Sequence, residues 1–363
     1  MQKLLAVLAS LIFISAPFAY ANEDAHQNER TSVWKDENGN YDKEKMTEYV
    51  KHHTQDSHDF TIFSNETENK HYGFPLPVIL WDGGLHVFMS SAFHHGEKVV
   101  ESKGNYYKLE HGKIYKTDAE GTIKYNKEGH PENAKPLDLS LTKSVLVTLL
   151  IAFLMFFLFR KVAKSYGNSL SPKGSAKFIE PLVLFVRDEI AIPNIGHKHH
   201  KRYMIHLLTV FFLIWFLNLA GMTPLGINVT GNIAVTFTLA IITFIITQAS
   251  GNANYWGHIF WMPGVPAPMK VILAPIELLG IFIKPFALMI RLYANMLAGH
   301  IVLGSLIILV FTFGNYGAKG AFVGLAFFLN IIELLVAFLQ AYIFTMLTAL
   351  YFGSAVAEHD DHH

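Results

Sequence analysis

Not one of the 363 residues is cysteine, which removes disulfides, thiolate metal sites and thiol catalysis together. No charge sign is in excess either. The 29 basic residues match 29 acidic ones, so no net field gathers nucleic acid or an acidic ligand. Charge as a whole is scarce, at 16% of residues, where an average soluble chain carries roughly 25%. That scarcity is uneven. From Tyr203 to Met269 there is no Asp, Glu, Lys or Arg, and from Tyr203 to Ala357 there are six: Lys270, Glu277, Lys284, Arg291, Lys319 and Glu333. Such a stretch excludes a soluble second half and reads as a polytopic membrane domain, residues 140–357. Also missing are any nucleotide-binding loop and any catalytic triad, so no cofactor and no catalytic residue is assigned to the chain.

What is present begins with a secretory signal. Lys3 precedes an apolar run from Leu4 to Ile14, and Ala19-Tyr20-Ala21 has the small-x-small form of a cleavage site. Residues 1–21 are therefore expected to be a signal peptide. The alternative is a retained anchor, although the apolar core is short for a span. Residues 22–139 form an exported, charged, histidine-rich extension. Within it, Tyr106 to Leu109 and Lys113 to Lys116 flank a Glu-His-Gly turn, and Thr122 to Tyr125 reads as a third strand. The stretch from Lys35 to Asp59 is expected to be helical or disordered. Residues 358–363 are a His- and Asp-rich tail.

The apolar segments give the fold class: an all-α polytopic membrane protein with five crossings and one surface helix, preceded by a small soluble extension with β-hairpins. Leu139 to Phe159 is the first span, followed by Arg160, Lys161, Lys164, Lys173 and Lys177. The positive-inside rule puts that side in the cytoplasm, in agreement with an exported N-terminus. Phe178 to Ile192 is too charged to span and reads as an amphipathic helix on the inner surface. Tyr203 to Leu225 and Ile233 to Ala249 make a hairpin of two crossings, and Asn252 to Lys270 a loop. Pro275 to Phe313 and Gly320 to Phe352 are the last two segments. As continuous helices they would run roughly 50 to 60 Å through a hydrocarbon core roughly 30 Å thick, so they must tilt steeply or break. The C-terminus falls on the cytoplasmic side of an inner (plasma) membrane.

The charges within these spans are the candidate functional residues. Glu277, Lys284 and Arg291 recur at i, i+7 and i+14, within about 40° on a continuous helix, with Pro285 expected to disturb the register. Asn295, Gly299 and Ala287 extend the stripe with an amide and small residues that admit another helix closely. Asn330, Glu333 and Gln340 form a second stripe on the last segment. Lys284, Lys319 and Glu277 could snorkel to an interface, and amides such as Asn295 and Gln340 commonly cross-link helices. Arg291 has no such outlet. A central arginine costs roughly 2.5 to 3.5 kcal/mol on insertion scales, and its guanidinium cannot be deprotonated. Glu333 can take up a proton and His300 can exchange one near neutral pH. One permanent cation beside two titratable groups is suited to moving protons past a fixed charge.

These residues resemble a known family. The run from Lys284-Pro285 through Arg291 and Asn295 to Gly299-His300 is similar to the signature of subunit a of the F-type ATP synthase. So are Pro275-Ile-Glu277, the run from Glu333 through Gln340 to Tyr351, and the stretch Asn218 to Pro224. The similarity covers roughly residues 140 to 357. It implies a proton-translocating stator that packs against a rotating ring of c subunits, with b subunits, the lipid bilayer and transported protons as further partners and no nucleic acid. Two offset half-channels would open to opposite sides with Arg291 between them, favouring the ionised ring carboxylate and barring direct proton passage. Each charge moved through 100 mV is worth about 2.3 kcal/mol. The proton-translocation set carried over is Arg291, His300, Glu333, Gln340, Asn295 and Glu277, and any ATP chemistry belongs to partner subunits. Many bacterial members carry glutamate where His300 stands and histidine where Glu333 stands, so the pair is exchanged here and is expected to adjoin in one half-channel. Sodium is the alternative ion, since the ring carboxylate lies in another chain.

A His-rich metal-ion transporter is the competing reading. The clusters His52-His53, His94-His95, His199-His200 and the tail suit zinc or nickel, but all lie outside the spans, while His206, His258 and His300 are isolated. A purely structural anchor would explain the apolar mass but not a central arginine.

Overall fold

The computed structural model describes residues 56–65, 70–96, 98–110, 112–127, 131–166, 174, 176–223, 227–262, 265–312 and 315–357. The expected signal peptide, most of the Lys35 to Asp59 stretch and the 358–363 tail lie outside them. The chain divides into two compact units: Met1–Leu149 with Thr223–Val229 and Gly304–Val323, and Leu150–Met222 with Thr230–Leu303 and Gly324–His363.

Among its described residues, the first unit holds eight strands in three antiparallel sheets. Strands β1 (Asp59–Asn65) and β2 (Lys70–Pro75) make a hairpin. Strands β3 (Pro77–Trp81), β4 (Leu85–Met89) and β8 (Leu137–Asp138) form a sheet in the order β4-β3-β8. In its register Trp81 lies between Leu85 and Leu137, Ile79 opposite Val87 and Pro77 opposite Met89. Strands β5 (Val100–Ser102), β6 (Asn105–Glu110) and β7 (Lys113–Thr117) form the third sheet. Side chains alternate across a strand, so Val78, Leu80 and the half-buried Phe88 turn inward against Phe93, Val100, Tyr107 and Ile114. His86 pairs with Ser102 at 3.1 Å and ties two sheets together. Between β5 and β6, Lys103 and Gly104 both have positive φ, 50° and 79°, as a two-residue type I′ turn requires.

The expected hairpin of Tyr106 to Lys116 is present, but Thr122 to Tyr125 is not a strand: it carries one isolated bridge, Tyr125 to Pro131. Polar side chains take the backbone groups that a ladder would use. Asp118 accepts from the Thr122 N–H, and the Asn133 side chain accepts from Lys124 N–H and donates to the carbonyls of Lys116 and Thr122. Competition of this kind diverts backbone from regular structure. The third strand of that sheet is β5, on the other side of β6.

Among the described residues, five helices are long and apolar enough to cross a membrane. The first, α1 (Lys143–Tyr166), starts four residues later than its apolar run suggests. Leu139 and Leu141 are still bonded to the carbonyls of Ile79 and Pro77, and Asp56 accepts from Ser144 N–H at the helix start. A carboxylate there complements the helix dipole. Short helices α2 (Ala176–Phe185) and α3 (Ile192–Ile195) flank a π-helical turn, Val186–Ala191. The ring of Pro193 would clash with the carbonyl four residues back in a regular helix, and the wider turn just before it relieves this. Ile179, Val186 and Ile190 of this expected surface segment are buried.

Helices α4 (His200–Gly221) and α5 (Ile233–Ser250) form the hairpin of crossings. The loop expected after it contains a further helix, α6 (Ala253–Phe260), capped by the Asn252 side chain on Tyr255 N–H. Helices α7 (Ala267–Thr312) and α8 (Tyr316–Val356) are 46 and 41 residues long and unbroken. The core of the second unit packs Phe211 and Phe212 of α4 with Leu288 and Leu292 of α7 and Phe344 and Phe352 of α8. Gly353 permits part of that approach, since a Cβ there would overlap the Asn194 carbonyl oxygen.

Candidate membrane site on the two long helices

At 1.5 Å per residue, α7 is about 69 Å long and α8 about 62 Å. Neither stands upright in a bilayer. Pro275 and Pro285 lie inside α7 without interrupting it, so the stripe from Glu277 to Arg291 stays in helical register. Lys284 and Arg291 are exposed, Glu277 is half-buried, and Asn295 is exposed one turn beyond the arginine. Ala287, Ala294 and Ala298 are exposed beside them. The side of α7 roughly 100° round from Arg291 is buried, through Ile281, Leu288, Leu292 and Met296. Arg291 itself is exposed on a face lined by small residues, with Tyr351 of α8 within electrostatic range. The Lys284 ammonium lies 5.7 Å from the Tyr351 ring centroid.

His300 follows Arg291 by nine residues, about 180° around the helix, and is half-buried. Across from it, Glu333 of α8 is 7% exposed, and neither of its carboxylate oxygens has a hydrogen-bond partner; His300 Nε2 is likewise buried and unpartnered. The Glu333 carboxylate lies against Gly299: a Cβ built on that glycine would be 2.8 Å from Oε1. Only a residue without a side chain lets the carboxylate sit there. Gln340, two turns further along α8, is buried. The six candidates therefore separate into an outward pair, Arg291 and Asn295, an inward trio, His300, Glu333 and Gln340, and a half-buried Glu277. The Glu333 carboxylate thus lies against the residue that precedes His300 in the chain. Buried polar atoms without partners are costly in an apolar medium.

Two polar features escaped the sequence reading. Asn218 is fully buried, donating to the Ala337 carbonyl at 3.3 Å and accepting from Thr230 Oγ at 2.7 Å, beside the Glu333 and Gln340 stripe. A small cleft is lined by Thr243, Thr247, Gln248, Tyr255, Lys284, Tyr351 and apolar neighbours. His206, isolated in sequence, pairs with Thr243 at 3.3 Å. The available signal was Thr236, Thr243 and Thr247, which recur on one buried face of an otherwise apolar helix. Among the described residues, no three His, Asp or Glu side chains converge as a metal site.

Residues 49–139 match a family described as a domain of unknown function (DUF8433). The ATP synthase subunit a of Myxococcus xanthus is 47% identical over 233 residues, covering 62% of this chain and 77% of that protein. That of Chloroherpeton thalassium is 45% identical over 233 residues, covering 62% and 69%. The ATP synthase subunit a 2 of Chlorobaculum tepidum is 44% identical over 234 residues, covering 62% and 66%. Residues 144–353, more than half of the sequence and all five long helices but for their ends, match the family described as ATP synthase A chain, and the chain is a multi-pass membrane protein of that family.

Proposed function

We propose that this chain is the proton-translocating stator of the membrane sector of an ATP synthase, held by b subunits against a rotating ring of c subunits. It has no catalytic site of its own; nucleotide chemistry belongs to partner subunits. The observation that carries the reading is Arg291, exposed on the alanine-lined face of an unbroken helix. A ring helix can approach such a face closely, and the permanent cation favours the ionised form of the ring carboxylate as it passes. Because the guanidinium never deprotonates, it also blocks a direct proton leak.

The two polar regions flank that charge along α7. With the C-terminus cytoplasmic, Glu333 and His300 lie toward the exported side, His300 being about 13 Å along the axis from Arg291. The cleft around Lys284 and Tyr351 lies toward the cytoplasm, about 10 Å the other way. Glu333 and His300, with Gln340, would feed protons to the ring through one half-channel, and Glu277 and the cleft would release them through the other. Protons rather than sodium fit an acid and imidazole pair that can each exchange H⁺. The N-terminal domain would stand outside the inner (plasma) membrane, following a signal peptide at 1–21, with 22–139 as the exported domain and 358–363 in the cytoplasm.

The test is Arg291→Ala in membrane vesicles. Proton-driven ATP synthesis disappears while the complex still assembles; normal coupled synthesis in that variant would overturn the reading.

A further inference from the structure

We propose that the β4-β3-β8 sheet rests on the bilayer itself, its outer face inserted among the lipid headgroups beside the start of α1. The inner face of this sheet is consumed by the core of the domain, through Val78 and Leu80. A sheet with its other face in water normally alternates to polar side chains there. This one does not. Trp81, Leu85, Val87, Met89, Leu137 and Leu139 are each 45% to 60% exposed. The register puts Trp81 between Leu85 and Leu137 and Val87 opposite Ile79, so the exposed side chains form one continuous apolar surface. Contiguous surfaces of this kind mark an interaction site.

The occupant follows from where the sheet is tied. After β8, Leu139 N–H bonds Ile79 O at 2.8 Å, Leu141 N–H bonds Pro77 O at 3.1 Å and Lys143 N–H bonds Ser57 O at 2.9 Å. Lys143 is already the first residue of a membrane-spanning helix. Four residues reach at most about 14 Å, and hydrogen bonds leave no slack in them. The apolar surface therefore continues along the chain into Val145 and Leu149 of α1, which are exposed where the helix enters the hydrocarbon. Trp81 is the residue type enriched at the membrane interface. At the rim, the exposed Lys103 is bonded to the Leu85 carbonyl at 2.6 Å, a cation at the level of lipid phosphates. Lipid is the one partner guaranteed at this distance from α1.

The absence of cysteine makes the test clean. Val87→Cys and Leu137→Cys, each labelled with nitrobenzoxadiazole, are reconstituted as the full chain in phosphatidylethanolamine and phosphatidylglycerol vesicles. Glu101→Cys, exposed on β5 of a different sheet, is the reference. Labels at 87 and 137 emit at shorter wavelength than the reference. A shallow lipid nitroxide quenches them several-fold more strongly than it quenches the reference, and aqueous iodide several-fold less. Iodide quenching equal to that at 101 would overturn the proposal. So would shielding from both quenchers, which would mean that a second copy covers the face. Two labelled sites keep the test decisive if one variant fails to insert.

Discussion

Arg291 and His300 are close in sequence yet face opposite ways, and this division assigns them different tasks. In the proposed function Arg291 acts on what passes outside the chain, and His300 and Glu333 act within it. If the pair is a relay, Glu333→Gln and His300→Ala each slow proton flux in vesicles, by about 10-fold or more on general acid–base magnitudes. The double exchange His300→Glu with Glu333→His restores part of it, because a relay needs the two groups adjacent rather than in a given order. Unchanged flux in both single variants would remove the relay. A different residue-scale prediction concerns the soluble domain. Lys116 donates to Asp82 at 2.8 Å and holds that carboxyl below its ordinary value of 3.8, with Tyr107 as a second donor. Burial, with the bond to Asp82, pushes the Tyr107 hydroxyl up to about 12. A depressed carboxyl contributes stability that is complete above its unfolded value and is lost as pH falls through its folded value. Asp82→Asn therefore destabilises the domain at pH 7, by about 1 kcal/mol or less for a partly exposed pair, and lowers its thermal midpoint. The difference from the parent chain shrinks below pH ~4. A pH-independent difference in melts of the full chain in detergent would contradict this.

Among the elements, α7 carries most of the proposed site because it remains one helix. Each proline removes an N–H and strains the preceding turn, yet both are absorbed, and Glu277, Lys284 and Arg291 keep a common side. The outward face depends on smallness. Ala298→Trp fills the groove that a ring helix would occupy, without touching the buried Leu292 and Met296 face. The chain should insert normally but be recovered without the ring on mild-detergent gels; intact assembly would show that this face is turned to lipid instead. The Thr122 to Tyr125 segment and α6 teach the opposite lesson about short elements. Their state is decided by groups distant in sequence, the Asn133 side chain in one case, and in the other the backbone tie of Asn252 N–H to the Ala355 carbonyl.

At the scale of the whole molecule, a soluble β-domain and a helical membrane domain are joined through a helix whose start is capped from within the β-domain. The proposed orientation has a direct check. A membrane-impermeant maleimide labels Glu101→Cys in intact cells, whereas Lys198→Cys reacts only after the membrane is opened. Labelling of Lys198→Cys from outside would invert the topology and exchange the two proposed half-channels.

The distribution of charge by itself determined that the second half is membranous, with five long helices whose ends fall up to about eight residues from the expected spans, and that Arg291 is its unavoidable cation. These follow from transfer energetics, which depend on local composition and can be read along a chain. The similarity around Arg291 likewise lay in contiguous residues. Only the tertiary structure decided that Glu333 lodges against Gly299 beside His300, that Arg291 is turned away from both, and that Asn218, His206 and Thr243 are polar partners. Those facts rest on close approach between helices far apart in sequence. Packing of that kind is set by side-chain shape at the contact, which no local pattern encodes.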